Sequence, residues 1–192
     1  MSRFAPLELH LPDRKIFTLR HCLPSEAKLF EPFRQCISQE TRFTLQSFTA
    51  PELQTVTAHD WAETEQSAHD LRLGIFYNGY LVALLGYNTL ADCNSSVQHV
   101  STFGMAVRQK FWGLGLGRKL LETMESHARS HGHTRIEATV RTQNVRAIIF
   151  YLKSKYQIEG TRKNAALIED LYEDEYFIAK ILTGTSPVQP VF

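Results

Sequence analysis

The dipeptide Asn78-Gly79 joins two apolar segments and gives the strongest local signal in the chain. LRLGIFY precedes it and YLVALLGYN follows it. The two-residue hairpin turn that favours Asn-Gly needs positive φ at both central positions, and asparagine and glycine adopt such values more readily than other residues. The sequence therefore predicts two antiparallel strands that meet at this turn.

A second unit combines a strand, a glycine-rich segment and a helix. Residues 97–107 are predicted to form the strand, which runs directly into FWGLGLGR, residues 111–118. An amphipathic helix follows, and its apolar face is predicted to contain Leu114, Leu120, Leu121, Met124 and Ala128. Gly132 is predicted to end this helix.

The remaining elements alternate between strands and helices. KIFTLR is a predicted strand, and SEAKLFEPFRQCIS a predicted helix that Pro32 delays or kinks. Residues 43–70 are interpreted as loop and short helix. RIEATVR is a further strand, Asn144 can cap a short helix, and residues 175–182 close the sheet. We therefore expect an α+β fold with a sheet of mixed direction and helices on both faces.

Composition limits the chain to one ordinary core. Of 192 residues, 43% are hydrophobic and 21% charged, so we expect a single domain over residues 1–192, with 183–192 as a mobile tail. The formal charge is +1, which gives no global attraction to nucleic acid or to an anionic membrane.

Without a membrane-spanning or secretory pattern, a cytoplasmic protein is expected. Cys22, Cys36 and Cys93 form no CxxC pair and are interpreted as small apolar residues.

The glycine segment carries the clearest chemical signal. Gly113, Gly115 and Gly117 lie at the start of a helix, where unpaired backbone N–H groups and the positive end of the helix dipole can bind a pyrophosphate. Glycine lets phosphate oxygens approach the backbone, and Arg118 can add a positive charge. The competing interpretation is that the glycines only permit a tight turn.

Two other nucleotide sites use glycine-rich loops, and the sequence favours neither. A dinucleotide fold has G-x-G-x-x-G, but Arg118 stands where its third glycine would fall, and Glu137 lies near the start of its strand instead of at the end. The P-loop is also disfavoured, because no Gly-Lys-Ser/Thr follows.

Three segments resemble the GNAT superfamily of N-acyltransferases. VRQKFWGLGLGRKLL is similar to the family's hydrophobic residue, short linker, Arg/Gln-x-x-Gly-x-Gly/Ala and helix, although Trp112 takes the Arg/Gln position. NVRAIIFYLKSKYQIEG resembles its later motif, with Lys155-Tyr156 in place of Gly-Phe, and DEYFIAKIL resembles its last strand. The resemblance covers residues 71–182. It implies a mixed, mostly antiparallel central sheet that is splayed at the acetyl-CoA site.

The resemblance also implies roles for particular residues. Backbone groups of Met105, Ala106 and Val107 would bind the pantetheine arm as an added strand does. Pyrophosphate would be held by the run Trp112, Gly113, Leu114, Gly115, Leu116, Gly117 and Arg118. Asn144 would contact the pantetheine arm or serve only as a helix cap. Tyr151 would be the general acid that protonates the departing sulfur, or else a half-buried core aromatic.

The implied reaction is transfer of acetyl from acetyl-CoA to a primary amine of a small molecule, amino acid, polyamine or protein N-terminus. A CoA-binding regulatory module of the same fold is the alternative, and a homodimer is possible in either case. No single base is assigned among His99, Ser101 and Thr102.

Two clusters of ionisable residues could be taken for a metal site or for an amine-binding surface. His127, His131 and His133 have helical spacing, but no carboxylate or cysteine completes a site, so no metal is expected. The acidic residues Glu169, Asp170, Glu173, Asp174 and Glu175 could attract a cationic amine or form a solvated face.

Overall fold

The structure, a computed structural model, describes residues 5–11, 15–43, 61–64, 67, 69–90, 95–168 and 170–182. The strands within these ranges are β1 (Leu7–His10), β2 (Ile16–His21), β3 (Leu71–Tyr77), β4 (Tyr80–Thr89), β5 (Val100–Val107), β6 (Arg135–Arg141), β7 (Gln157–Ile168) and β8 (Leu171–Ile181). The longer helices are α1 (Phe30–Glu40), α2 (Leu116–Ser130) and α3 (Val145–Lys153). No helix in the described part of the chain is long and apolar enough to cross a bilayer.

The strands follow the order β1-β2-β3-β4-β5-β6-β8-β7. β5 and β6 are parallel, whereas the β1–β2, β2–β3, β3–β4, β6–β8 and β7–β8 pairs are antiparallel. The predicted α+β class with a mixed, mostly antiparallel sheet is therefore confirmed. The chain divides into two compact units, one of Met1–Asn88 with Gly104–Met124 and the other of Thr89–Phe103 with Glu125–Phe192, so β5 contributes to both.

The first unit contains the predicted hairpin. Asn78 and Gly79 have φ of 49° and 78°, as a turn of this type requires, and join β3 to β4. One core cluster of this unit contains Cys22, Phe33, Ile37, Trp61, Phe76 and Leu81. Burial raises the pKa of the Cys22 thiol to about 12, which fits its predicted role as a small apolar residue.

α1 begins at Phe30, later than the start of the predicted segment SEAKLFEPFRQCIS. A short 3-10 helix, Pro24–Leu29, precedes it, and Pro32 lies in its first turn, where a missing N–H breaks no intrahelical bond. Phe33 and Ile37, one helical turn apart, are the buried residues of α1.

The second unit contains the C-terminal part of α2. Gly132 has φ of 77°, its N–H donates to the Arg129 carbonyl, and the His133 N–H donates to the Ala128 carbonyl. These two bonds form a Schellman motif, so the prediction that Gly132 ends the helix is confirmed.

Several element boundaries were predicted wrongly. β5 begins at Val100 instead of residue 97, and Leu114 precedes α2 instead of lying on its apolar face. β8 begins at Leu171, four residues before the predicted start, and β1 and β7 were not predicted. Cys93, most of residues 43–70 and the tail 183–192 lie outside the described residues.

Candidate functional site

The end of β5 provides the strand segment that was predicted to contact pantetheine. Met105, Ala106 and Val107 are half-buried, and the preceding Gly104 is exposed. Immediately after the strand, the Arg108 N–H donates to the Val82 carbonyl at 3.0 Å. This bond ties the end of β5 to β4 within the first unit.

A carboxylate at the end of α1 holds the start of the following turn. Glu40 Oε1 accepts from Arg108 Nε at 3.1 Å and from Nη2 at 3.0 Å, and Glu40 Oε2 accepts from the Gln109 N–H at 2.6 Å. The side chains of Arg108 and Glu40 are 29% and 17% exposed. Charge-assisted hydrogen bonds of this kind are stronger than neutral ones, so Glu40 fixes both residues.

The turn Gln109–Phe111 is anchored by an aromatic side chain. Phe111 is buried, and its ring meets Phe17 edge-on at 5.7 Å and Tyr77 at 5.9 Å between centroids. Phe17 and Tyr77 stack on each other at 4.7 Å. The turn therefore cannot shift without disturbing the core of the first unit.

Trp112 bonds back to the strand. Its indole Nε1–H donates to the Val107 carbonyl at 2.6 Å, across the turn. Trp112 stands at the position where the family pattern has Arg or Gln. Its donor therefore bonds to the protein's own backbone, and the structure does not test the predicted pyrophosphate contact.

Two of the three glycines, Gly113 and Gly115, are required by backbone conformation, whereas Gly117 lies in α2. Gly113 and Gly115 have φ of 78° and 79°, values that other L-residues rarely adopt. A Cβ added at either position would meet no atom within 4 Å, so neighbouring protein atoms do not require glycine there. The open space lies where a ligand could approach the backbone.

α2 begins directly behind these glycines. The Lys119 N–H donates to the Gly115 carbonyl at 3.1 Å, which closes the first turn. The N–H groups of Leu116, Gly117 and Arg118 lie in that first turn, where the helix itself offers them no carbonyl. A helix start of this form is a general site for phosphate.

The side-chain charges at the start of α2 are exposed. Arg118, with 77% of its side chain accessible, donates to Glu122 at 3.0 Å, and Lys119 donates to the other Glu122 oxygen at 3.0 Å. The hydrogen bond from Lys119, and then that from Arg118, lowers the pKa of the Glu122 carboxyl. Two cations share one anion, so a positive charge remains in this turn.

Tyr151 lies on α3 in the second unit. Its ring meets Phe103, Phe150 and Tyr156 at 5.8, 5.3 and 5.8 Å between centroids. Burial raises the pKa of its hydroxyl well above the ordinary tyrosine value. No hydrogen bond to this hydroxyl is found among the described residues, so the group is protonated at neutral pH and has a donor to offer.

Asn144 caps α3, as predicted. Its Oδ1 accepts from the Ala147 N–H at 3.2 Å, and its backbone carbonyl accepts from Ile148 at 3.0 Å. The cap leaves the two N–H donors of the side-chain amide unused within the described residues. The helix-cap role is confirmed, and the contact with pantetheine stays a prediction.

The acidic run that was considered as a solvated face is divided: Asp170 is exposed, whereas Glu173 and Glu175 of β8 are buried. Glu173 and Glu175 are 3% and 7% exposed, next to Arg141, which is 4% exposed. Arg141 Nη1 lies 3.3 Å from Glu175 Oε1, and Arg141 Nε lies 3.9 Å from Glu173 Oε2. The two-residue spacing of Glu173 and Glu175 indicates that they lie on the same face of β8. Their burial could not be predicted from this spacing, because it depends on Arg141 of β6.

The residues considered for the base take separate positions. Ser101 is fully buried and donates to the Arg135 carbonyl at 3.2 Å, Thr102 is half-buried in β5, and His99 lies in the turn before that strand. The His127 and His131 rings lie 4.1 Å apart between centroids and are tilted by 37°, and His131 Nδ1 lies 2.8 Å from the His127 carbonyl. Within the described ranges, no three His, Cys, Asp or Glu side chains form a metal-binding group.

Comparison with known proteins agrees with this geometry. A model of the acetyltransferase (GNAT) family matches residues 35–156. L-amino acid N-acetyltransferase AaaT of Escherichia coli K12 is 34% identical over 87 residues, which are 43% of this chain and 52% of that protein. The match therefore spans about half the length of this curated relative.

Solved structures share the fold. An acetyltransferase of the GNAT family from Streptococcus pneumoniae has a TM-score of 0.77 at 24% identity, over 86% of this chain and 99% of that one. The Salmonella typhimurium protein yncA, solved with its cofactor acetyl-CoA, has a TM-score of 0.75 at 17% identity, over 91% and 99%. The family match covers more than half of the chain and includes the glycine loop, Asn144 and Tyr151. The chain belongs to the acetyltransferase (GNAT) family.

Proposed function

We propose that this protein transfers the acetyl group of acetyl-CoA to a primary amine. The observation that carries the proposal is the glycine loop, in which Gly113 and Gly115 have positive φ and open space at Cβ directly before α2. Backbone N–H groups there suit a pyrophosphate, which CoA contains. The family match over this loop supports the same ligand.

The proposal assigns residues of the chain to each part of CoA. Residues 113–118 would hold the pyrophosphate mainly through backbone N–H groups, since the Trp112 backbone N–H already donates to the Gln109 carbonyl at 3.0 Å. Met105, Ala106 and Val107 would bind pantetheine at the end of β5, with β5 splayed from its neighbour, and Asn144 could donate its amide hydrogens to the same arm. When bound, acetyl-CoA supplies an acyl group activated as a thioester.

Two groups of the chain would assist the transfer. The attacking amine places negative charge on the thioester oxygen, which a backbone N–H near Val107 can stabilise. The thiolate that leaves needs a proton, and the Tyr151 hydroxyl would donate it. Burial raises the pKa of Tyr151, so its hydroxyl is protonated at neutral pH when the thiolate forms. The proton that the amine nitrogen loses on forming the amide would then restore the hydroxyl.

The acceptor is an amine that must lose its proton before attack, since a free alkylammonium has a pKa of about 10. Amino acids are the acceptor class best supported, because the curated relative is an L-amino acid N-acetyltransferase. Other small amines, polyamines and a protein N-terminus remain acceptors to be tested.

Thermal unfolding with saturating ligand tests the binding part of the proposal. A ligand that binds only the folded state raises Tm, so acetyl-CoA and CoA should raise it and NAD should not. A shift with NAD alone, or with none of the three, would contradict the proposal.

A matched pair of tyrosine variants separates an enzyme from a CoA-binding regulatory module. Tyr151→Phe should lower kcat by about 10²- to 10⁴-fold, the range for loss of a general acid, with little change in the Kd of CoA. Tyr156→Phe removes a hydroxyl from the neighbouring buried ring, 5.8 Å away, and should leave kcat near wild type. Equal turnover by wild type and Tyr151→Phe would remove Tyr151 from the mechanism, whereas CoA binding without turnover by the wild type would favour the regulatory module.

A further inference from the structure

We propose that Trp112 is a positioning residue, whose indole N–H holds the Val107 carbonyl and so sets the end of β5 and the glycine loop for acetyl-CoA before it binds. The inference rests on the proposed function and adds a residue to it. It replaces the direct phosphate contact that the family pattern assigns to this position with an indirect role.

The donor chemistry of indole supports this assignment. Indole has one N–H and no acceptor, whereas a guanidinium has five N–H groups. The Trp112 N–H already donates to Val107 at 2.6 Å, so it has no second hydrogen for a phosphate. An arginine could have bonded to the backbone and a phosphate together, but tryptophan must serve one or the other.

The bond closes the turn from Arg108 to Trp112, here called the corner, which other contacts also hold in place. Glu40 holds Arg108 and Gln109 at one side, and the buried ring of Phe111 anchors the middle. Trp112 then returns to Val107, the last residue of β5. The backbone that enters the loop at Gly113 therefore starts from a defined position.

A fixed corner matters because glycine is otherwise free. Gly113 and Gly115 have more backbone freedom to lose on binding than any other residue, and ordering them opposes ligand affinity. The indole bond orders the residue directly before Gly113 in advance. Its loss should therefore weaken acetyl-CoA binding without affecting the chemical step at Tyr151.

Trp112→Phe is the direct test, because it keeps an aromatic ring and removes the N–H. A single intramolecular hydrogen bond contributes about 0.5–1.5 kcal/mol net, and 1.4 kcal/mol is tenfold in affinity. We expect the Kd and KM of acetyl-CoA to rise about three- to tenfold, with kcat within about twofold of wild type. A purely structural role would lower Tm and leave KM unchanged.

The chain offers a matched control in its other tryptophan. Trp61, 4% exposed, belongs to the core cluster of the same unit and lies 6.1 Å from the Phe30 ring. Trp61→Phe makes the same chemical change outside residues 107–112, in a cluster against which Ala106 packs. It should lower Tm and raise the KM of acetyl-CoA less than Trp112→Phe does.

Indole N–H resonances provide a readout that does not depend on activity. The chain has two tryptophans, so Trp61→Phe leaves Trp112 as the single indole signal. We expect this proton to exchange slowly with solvent in the free protein and to stay protected after acetyl-CoA is added. Fast exchange in the free protein, with protection only when acetyl-CoA is present, would mean that the indole turns to the ligand and would overturn the inference.

The outcomes distinguish this inference from the proposed function. Equal acetyl-CoA affinity of wild type and Trp112→Phe overturns the positioning role alone. Failure of the wild type to bind acetyl-CoA overturns both. If Trp112→Phe does not fold, Glu40→Gln tests the same corner from α1, because it weakens the bonds to Arg108 and Gln109. The KM of acetyl-CoA should again rise while kcat is retained. An unchanged KM would contradict the role of the corner.

Discussion

Lys180→Met should destabilise the second unit, because all three ammonium donors of Lys180 are used. Nζ lies 2.7 and 2.8 Å from the two Glu125 oxygens and 2.9 Å from the Ser154 carbonyl. These bonds join β8 to α2 and to the end of α3, the helix that carries Tyr151. The variant would leave the Glu125 carboxylate, 9% exposed, without its main partner.

The size of this effect follows from the burial of the pair. Removing one partner of a fully buried ion pair costs about 3–5 kcal/mol. Lys180 is 18% exposed, and Arg129 still reaches Glu125 at 3.4 Å, so we expect about 2–3 kcal/mol. For a chain of this size each kcal/mol lowers Tm by about 2–4 °C, which gives a decrease of about 5–10 °C.

Thermal unfolding at pH 7 measures this decrease, with two controls. Lys163→Met removes a lysine that is 78% exposed and bonded to Asp174, and Tm should not change measurably. The double variant Lys180→Met/Glu125→Leu removes the stranded carboxylate and should recover much of the lost stability. A Tm for Lys180→Met within 1 °C or so of wild type, or a double variant less stable than Lys180→Met, would refute the reasoning.

Two further predictions concern the glycine loop and the acid limit of stability. Gly115→Ala places a Cβ at φ of 79°, so it should lower the free energy of unfolding by about 1–2 kcal/mol and raise the KM of acetyl-CoA. Gly79→Ala, at φ of 78°, should cost about as much stability with no change in KM. Equal KM values for the two variants would contradict a ligand role for the loop. The Arg20 guanidinium, bonded to Glu26 at 2.6 Å through both oxygens, lowers the pKa of that carboxyl. The contribution of this ion pair to stability is therefore full above the unfolded-state pKa of about 4.3 and is lost as pH falls through the lower folded-state pKa of Glu26. The Tm difference between wild type and Glu26→Gln should accordingly shrink from pH 7 to pH 3. A difference that grows in acid would contradict this prediction.

Sequence reasoning succeeded where a local backbone requirement is written into a few neighbouring residues. Asn78-Gly79 and Gly132 adopt the positive φ that a hairpin turn and a helix end require, and Asn144 accepts the capping bond of α3. These interactions join residues no more than five positions apart, so nearby sequence determines them. The family resemblance supplied the order of the elements around them.

The errors arise where structure depends on distant residues or lacks a pattern. β7 is exposed along most of its length, so it shows no alternation of apolar and polar residues by which to detect it. Burial of Glu173 and Glu175 depends on Arg141, and the Arg108 bond to Glu40 crosses 68 residues. The indole bond of Trp112 depends on the exact path of the turn, which residue spacing does not determine. Whether the chain is one domain, and whether it forms a homodimer, stay predictions.

Product formation tests the central claim most directly. The wild-type protein would be incubated with acetyl-CoA and a set of free amino acids, a polyamine and a peptide with a free N-terminus, and mass spectrometry would detect addition of one acetyl group to each amine. The account predicts an N-acetylated amine together with one equivalent of released CoA, and a strongly reduced yield from Tyr151→Phe. CoA release without any acetylated amine, or binding of acetyl-CoA with no product from any acceptor class, would contradict it.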